Sequence, residues 1–285
     1  MKRVGVVAKP DAGEAPEVLR RLITWLVGRG LTVVLDKETA ALVSDTVASA
    51  VRRSDLPSQV DFLIVLGGDG TLLSVARAVG ELGIPILGVN LGGLGFLTAT
   101  TLDALTPALD ALLGGRLVIE NRMLLATRVQ RGGKAVAEFL ALNDVVIMKS
   151  AMSRIIDLKV AVEGQFAIGY RADGLIVATP TGSTAYSLSA GGPILFPTMD
   201  AVVLTPICSH TLTNRPIVLP GTLRIDVQLE TNQEVMLTVD GQVGFGLREA
   251  DTVQVEQAKA RVRLVRLPDK HFFSVLRTKL HWGAR

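Results

Sequence analysis

Near residue 118 the spacing of apolar residues changes, and that change restricts the chain to a mixed architecture with two kinds of core. Before it, short apolar runs alternate with helix-spaced segments. Residues 4–8 read as a strand, and residues 16–27 carry Val18, Leu19, Leu22, Ile23 and Leu26 at helical spacing. Gly28-Arg29-Gly30 stops that helix before a second strand at residues 31–35. Residues 62–66 give a third strand, residues 71–79 a helix, residues 84–89 a strand and residues 101–113 a last helix closed by Gly114-Gly115. Short apolar strands separated by helices predict a parallel sheet covered on both faces.

After residue 118 the period moves toward two and turn residues crowd together. Residues 125–130 and 135–140 flank Arg131-Gly132-Gly133-Lys134, and residues 156–162 and 165–170 flank Glu163-Gly164, so two hairpins are expected. Strands follow at residues 223–229, 234–239, 253–256 and 261–267. The fold class expected is an α/β N-terminal domain with a parallel, Rossmann-like sheet plus a C-terminal all-β, sandwich-like domain. Its boundaries fall at residues 1–117 and 118–267. A tail at 268–285, with Phe272, Val275, Leu276 and Leu280 at helical positions, either packs on the first domain or forms a self-association face.

Thirty basic and 27 acidic residues leave a net charge of +3, too balanced for the broad basic field of a nucleic-acid binder. Arg261, Arg263 and Arg266 alternate with apolar residues and read as a solvated strand face. The apolar runs at 62–66 and 201–204 fall far short of the roughly 18 residues that span a bilayer. No apolar run of signal-peptide type follows the first four residues, so neither export nor a membrane partner is expected. Cys208 is the lone cysteine, which rules out an intrachain disulfide and fits a reducing cytoplasm. His210 lies in a turn-rich segment and reads as structural, while His271 and His281 fall in the tail; the three show no zinc-type spacing.

The sharpest local feature is Leu66-Gly67-Gly68-Asp69-Gly70-Thr71, between a buried strand and a helix start. Glycines there let the chain turn at positive φ and let phosphate oxygens approach backbone amides, with the helix N-terminus favouring negative charge. Gly67, Gly68, Gly70 and Thr71 are therefore the candidate phosphate loop. Asp69, an anion in a phosphate site, either caps the helix, holds a metal or accepts a proton from a hydroxyl. No Walker-type Gly-x4-Gly-Lys-Ser/Thr run is present.

Gly67-Gly-Asp-Gly-Thr71 resembles the signature shared by NAD kinases, diacylglycerol and sphingosine kinases and, more loosely, 6-phosphofructokinases. Two later segments, Asn143-Asp144 and the fourteen-residue run at 179–192, resemble the second and third NAD-kinase signatures. Gly92-Gly-Leu-Gly-Phe-Leu97, Arg171-Ala-Asp-Gly174, Ser209-His-Thr-Leu, Arg215-Pro-Ile-Val218 and Val239-Asp-Gly-Gln242 follow the same family order. The resemblance implies transfer of the ATP γ-phosphoryl group to the 2′-hydroxyl of the NAD adenosine ribose, forming NADP, with Asp69 as general base and Mg²⁺ or another divalent ion as cofactor. It implies a dinucleotide site built from Asp69, Gly70, Asn143, Asp144, Arg154, Arg171, Asp173, Thr184, Ala185, Tyr186, Ser187, Leu188, Ser189 and Gln242. Asp173 would take the nicotinamide end, and Arg171 would offset phosphate charge or pair with Asp173. Many family members have Asn-Glu where this chain has Asn143-Asp144, one methylene shorter. NAD and ATP are the partners implied, in a cytoplasmic homo-oligomer, dimer or tetramer. A lipid kinase, a sugar kinase and a binding-only dinucleotide module are the rival readings; the run at 179–192 argues against the first two and Asp69 against the third.

Overall fold

The computed structural model describes residues 2–43, 48–116, 118–150, 153–211, 213–267 and 271–281. The chain divides into two compact units, one of residues 1–121 with 262–285, the other of residues 122–261. Leu117, Leu212, and the tail positions 268–270 and 282–285, on which parts of the expectations above fall, lie outside the described residues.

In the first unit, β1 (Arg3–Ala8), β2 (Thr32–Asp36), β3 (Ser49–Val51), β4 (Phe62–Leu66) and β5 (Ile86–Val89) form a parallel sheet in the order β3-β2-β1-β4-β5. All five residues of β4 are buried, as expected of a central parallel strand, and each large apolar side chain there contributes roughly 1.5–3 kcal/mol of transfer free energy. Helix α1 (Ala15–Val27) starts with proline in its first turn and ends at Gly28. The short α2 (Lys37–Ala40) is capped by Asp36, whose carboxylate accepts the Thr39 N–H at 3.0 Å and the Arg53 Nε–H at 2.8 Å. Helix α3 (Asp69–Val79) follows β4, and α4 (Leu102–Leu113) follows β5 and its loop.

Leu19, Leu22 and Ile23 of α1 and Leu105 and Leu109 of α4 share one core with Val4, Val6, Phe62, Ile64 and Leu87. Gly88 leaves room on the opposite face for Leu72 of α3, whose Cδ1 would stand 2.6 Å from a Cβ there. Both faces are thus covered. The order 3-2-1-4-5 reverses between β1 and β4, and the carboxyl ends of those strands are where ligands gather in such sheets. The Gly67–Gly68 step leaves β4 at that point.

The second unit is a two-layer β structure. One layer contains β9 (Ile156–Val162), β10 (Gln165–Ala172), β14 (Ile225–Leu229) and β17 (Thr252–Arg266), with β6 (Val118–Arg131) and β7 (Lys134–Ala141) paired to its margin. The other runs β13-β12-β11-β8-β15-β16, where β8 is Asp144–Lys149, β11 Gly174–Ala178, β12 Ala201–Ile207, β13 Ile217–Pro220, β15 Val235–Val239 and β16 Val243–Leu247. Leu158, Val160, Val227 and Val255 of the first layer meet Val145, Ile147, Leu175, Val177 and Leu237 of the second in one continuous core. A short α5 (Tyr186–Ser189) follows β11, while α6 (Phe272–Leu280), after β17, belongs to the first unit.

The expected hairpins β6-β7 and β9-β10 are present with their glycine turns. Residues 253–256 and 261–266, read within two separate strands, belong to the single 15-residue β17. Its arginines are engaged with the protein itself: Arg261 with Asp200 at 2.8 Å, Arg263 with the Gly83 carbonyl at 3.2 Å and Arg266 with Glu120 at 2.6 Å. Among the described residues, no helix is long and apolar enough to cross a membrane.

Candidate functional site

In the first unit the glycine turn is built around contacts, not around a left-handed backbone. Gly67, Gly68 and Gly70 are absent from the positive-φ glycines, and Gly68 is the N-cap of α3 at φ −95°. This corrects the expectation that the turn needs positive φ. What the glycines supply is space. A Cβ on Gly67 would lie 2.8 Å from Thr71 Oγ1, whereas a Cβ on Gly68 would meet nothing within 4 Å, so the Gly68 backbone is open to an approaching group. Gly70 is exposed on the first turn of the helix, and Thr71 is half-buried behind it.

Asp69 is the first residue of α3 and not its cap, and among the described residues it belongs to no metal cluster. Its Oδ1 accepts the Leu97 and Thr98 backbone N–H groups and the Thr98 hydroxyl, each at 3.0 Å, and its Oδ2 accepts the Phe96 N–H at 2.8 Å. Asn90 completes the arrangement, donating from Nδ2 to Thr98 Oγ1 at 2.9 Å and accepting the Gly92 N–H at 2.6 Å. A Cβ on Gly95 would overlap Asp69 Oδ1. The two glycine-rich motifs, 67–71 and 92–97, are therefore one structure joined by a carboxylate. Asn90 and Thr98 were not among the sequence candidates; their polar character inside an apolar stretch was the available signal.

In the second unit, Asn143 precedes β8 and Asp144 begins it, and both are held from two sides. Thr179 donates its N–H to the Asn143 carbonyl at 2.8 Å and its hydroxyl to the Leu142 carbonyl at 2.6 Å. A Cβ on Gly182 would overlap the Asn143 carbonyl, so glycine is required for this approach. From the other side Asp240, in the β15-β16 turn beside Gln242, accepts backbone N–H groups of residues 142–144. The second signature, the third signature and the 239–242 block thus converge at one end of the sheet.

The long motif divides into buried and open parts. Ser183 bonds Pro180 and Leu195 main-chain groups, and Ser187, fully buried, bonds Thr205 Oγ1 at 2.9 Å, so these hydroxyls serve the loop's own structure. Thr184, Ala185 and Leu188 are half-buried, and Tyr186 and Ser189 are exposed. The Tyr186 hydroxyl reaches Met148 Sδ at 3.8 Å, which lays the tyrosine along β8.

Asp173 lies at the other end of β8 and β11, since Gly174 pairs with Met148 while Ala178 pairs with Asp144; Arg171 belongs to β10 and Arg154 precedes β9, two strands of the other layer. Asp173 pairs with Lys149 at 3.5 Å, not with Arg171. Arg171 is exposed, and its carbonyl accepts the His210 N–H at 2.9 Å. Arg154 is exposed, with its N–H bonded to Gln233 Oε1 at 3.2 Å. The four strand steps from Asp144 to Met148 separate the two ends of β8 by on the order of 13 Å. Asp144, Val146 and Met148 alternate onto one face of the sheet.

Asp144 is strongly perturbed electrostatically. Burial, and then the negative charge of Asp240, push its carboxyl up to about 7. Among the described residues no group of three or more His, Cys, Asp or Glu side chains could hold a metal ion. Both Asp69 oxygens already accept hydrogen bonds. The residues therefore do not fit a protein-only metal cage; they fit a divalent ion held chiefly by nucleotide phosphates. A surface cavity of about 530 Å³ between α1 and α4, lined by Glu14, Arg21, Trp25 and Asp103, contains none of the candidate residues.

A glycine turn opening a helix at the switch point of a parallel sheet, followed by a β unit with a gathered polar loop, is the plan of a two-unit phosphotransferase. Residues 4–117 match the family model of the ATP-NAD kinase N-terminal domain and residues 142–267 that of the ATP-NAD kinase C-terminal domain. Relatives named NAD kinase are 50% identical in Solibacter usitatus, over 100% of this chain and 99% of the relative, and 48% identical in Geotalea daltonii, over the whole of both. A crystal structure of yeast NADH kinase complexed with NADH superposes with a TM-score of 0.93 at 25% identity, covering 100% of this chain and 89% of that one. An NAD kinase from Archaeoglobus fulgidus in complex with ATP superposes with a TM-score of 0.77 at 25% identity, covering 98% of both chains. The chain belongs to the ATP-NAD kinase family.

Proposed function

We propose that this ATP-NAD kinase, which phosphorylates NAD with ATP to give NADP, uses Asp69 to take the proton from the ribose 2′-hydroxyl and the 143–144 and 179–189 segments to hold the dinucleotide. In the transfer, the 2′-oxygen forms a bond to the γ-phosphorus, the bond from that phosphorus to the bridging oxygen breaks, and ADP leaves with the electron pair. The hydroxyl proton goes to Asp69 Oδ2, which takes a single donor where Oδ1 takes three. That asymmetry is the observation that carries the reading of Asp69. The Gly68 backbone and the start of α3 favour phosphate. A divalent ion such as Mg²⁺, bound with ATP, supplies neutralisation of phosphate charge.

The dinucleotide is assigned to the run of β8 from Asp144 to Lys149. Asn143 and Asp144 address the adenosine end, Thr184, Ala185 and Tyr186 the middle, and Asp173 with Lys149 the nicotinamide end about 13 Å away. Ser187 acts through the loop's structure. Arg154, Arg171 and Gln242 are assigned to the margin of the same site. The domain boundaries at residues 117 and 267, a cytoplasmic location and assembly as a dimer or tetramer complete the proposal and rest on the family pattern and the lone Cys208.

The experiment uses ATP labelled in the γ-phosphoryl group. The label is expected on the 2′-position of the product, and with Asp69→Asn its incorporation falls about 10²- to 10⁴-fold. Incorporation at the wild-type rate in that variant removes the general-base role.

A further inference from the structure

We infer that Asp240 is a positioning residue of the dinucleotide site, fixing the main chain of residues 142–144 so that the Asn143 amide and the Asp144 carboxyl face NAD in one geometry. The inference rests on the reading of residues 143–144 given above.

Asp240 Oδ1 accepts the Asn143 N–H at 2.7 Å and the Asp144 N–H at 3.3 Å, and Oδ2 accepts the Leu142 N–H at 3.2 Å. The exchange is reciprocal, because the Asp240 N–H donates to the Asp144 carbonyl at 3.0 Å. One buried carboxylate thus satisfies three successive amides, as charge-assisted acceptors do where a loop must be rigid. Thr179 holds the carbonyls of residues 142 and 143 from the opposite side. With its main chain pinned on both sides, the segment keeps its side chains for other work. Among the described residues the Asn143 amide and the Asp144 carboxyl make no side-chain hydrogen bond.

The turn itself does not explain the aspartate. Asp240 and Gly241 both adopt positive φ, 51° and 63°, and the Gln242 N–H closes the turn on the Val239 carbonyl at 3.0 Å. Glycine or asparagine serves such a turn at least as well. What glycine lacks is the acceptor, and what asparagine lacks is the second acceptor oxygen and the charge. The closeness of Asp240 to Asp144 also costs the protein, since its charge helps to push the Asp144 carboxyl up. A carboxylate kept beside a second buried carboxyl is accounted for by the amides that it holds.

The test is steady-state kinetics of the full chain with NAD and ATP varied separately, on D240G, D240N and N143A, with thermal melting of each. D240G keeps the backbone freedom and loses the acceptors. Its KM for NAD is expected to rise about 10- to 100-fold, the scale of a misplaced binding group, with KM for ATP and kcat changed far less. D240N, with one acceptor oxygen left, is expected to fall between D240G and the wild type. If D240G does not fold, D240N decides, because asparagine accepts the same backbone conformation. A folded D240G or D240N with KM for NAD near the wild-type value overturns the inference. N143A separates the two claims: a wild-type KM for NAD in N143A overturns the dinucleotide reading and the clamp with it. A raised value in N143A beside unchanged Asp240 variants overturns the clamp alone.

Discussion

Thr98 Oγ1 donates to Asp69 Oδ1 at 3.0 Å while accepting from Asn90 Nδ2 at 2.9 Å, so one hydroxyl ties the carboxylate of the glycine turn to a loop 29 residues downstream. Thr98→Val keeps the shape and removes both bonds. It leaves Asn90 Nδ2 buried without that acceptor, a loss of about 1–3 kcal/mol by thermal or denaturant unfolding. Asp69 loses one of four donors, and kcat is expected to fall with KM for NAD nearly constant. A T98V enzyme with wild-type kcat would show that the loop does not orient Asp69.

Gly68 and Gly95 make opposite predictions although both lie in glycine-rich motifs. A Cβ on Gly68 meets no protein atom within 4 Å, so G68A is expected to melt like the wild type and to bind ATP more weakly. A Cβ on Gly95 overlaps Asp69 Oδ1 and Thr98 Oγ1, so G95A is expected to lose about 1–3 kcal/mol of stability as well as activity. Equal melting of the two variants would contradict this division.

Asp144 gives the stability a pH dependence. Its carboxyl stands at about 7 in the folded chain and near 3.9 in an unfolded one. Between those values the folded state holds a proton that the unfolded state has released, so stability falls as pH rises through this window. The full effect is roughly 4 kcal/mol above the window and is absent below it. Asp144→Asn removes the titration. Its stability relative to wild type is expected to be higher at pH 8 than at pH 4; an identical difference at both would contradict the assignment.

Asp251 works in the opposite direction. Burial raises its carboxyl, but the Arg131 guanidinium, in two bonds of 2.9 and 2.7 Å, and the Arg248 N–H at 2.8 Å outweigh burial and hold it below the usual carboxylate range. A depressed carboxylate contributes stability above its unfolded pKa and loses it as pH falls through the folded one. Asp251→Asn is expected to lose about 1.5–3 kcal/mol at pH 7, with the gap to wild type closing in acid. A gap that persists at low pH would refute the ion-pair account.

The helices before residue 118 and the hairpins after it were legible because their faces differ in polarity, and the parallel strands because each is a short apolar run set between helical segments. β8 and β11 were not, for a physical reason: Val145 to Ile147 and all of β11 are buried, so no period of two marks them. Their motif residues, Asn143-Asp144 and 179–182, sit at the ends of these strands. β17 was split because Gln257 and Lys259 interrupt its apolar pattern without interrupting its strand. At the site, local sequence nominated candidate residues but not what holds them. The partners of Asp69 lie 27 to 29 residues away and those of Asp240 lie 96 to 98 away, beyond any local pattern. Arg171 and Asp173 are close in sequence, but strand pairing brings Lys149 to Asp173 instead.

The most direct measurement is NADP formation by the purified chain from NAD, ATP and Mg²⁺, followed with an NADP-specific dehydrogenase and compared with Asp69→Asn. The wild type is expected to form NADP, and the variant to form it about 10²- to 10⁴-fold more slowly while binding NAD in equilibrium titration. No NADP from the wild type would contradict the function, and a wild-type rate from Asp69→Asn would contradict the mechanism.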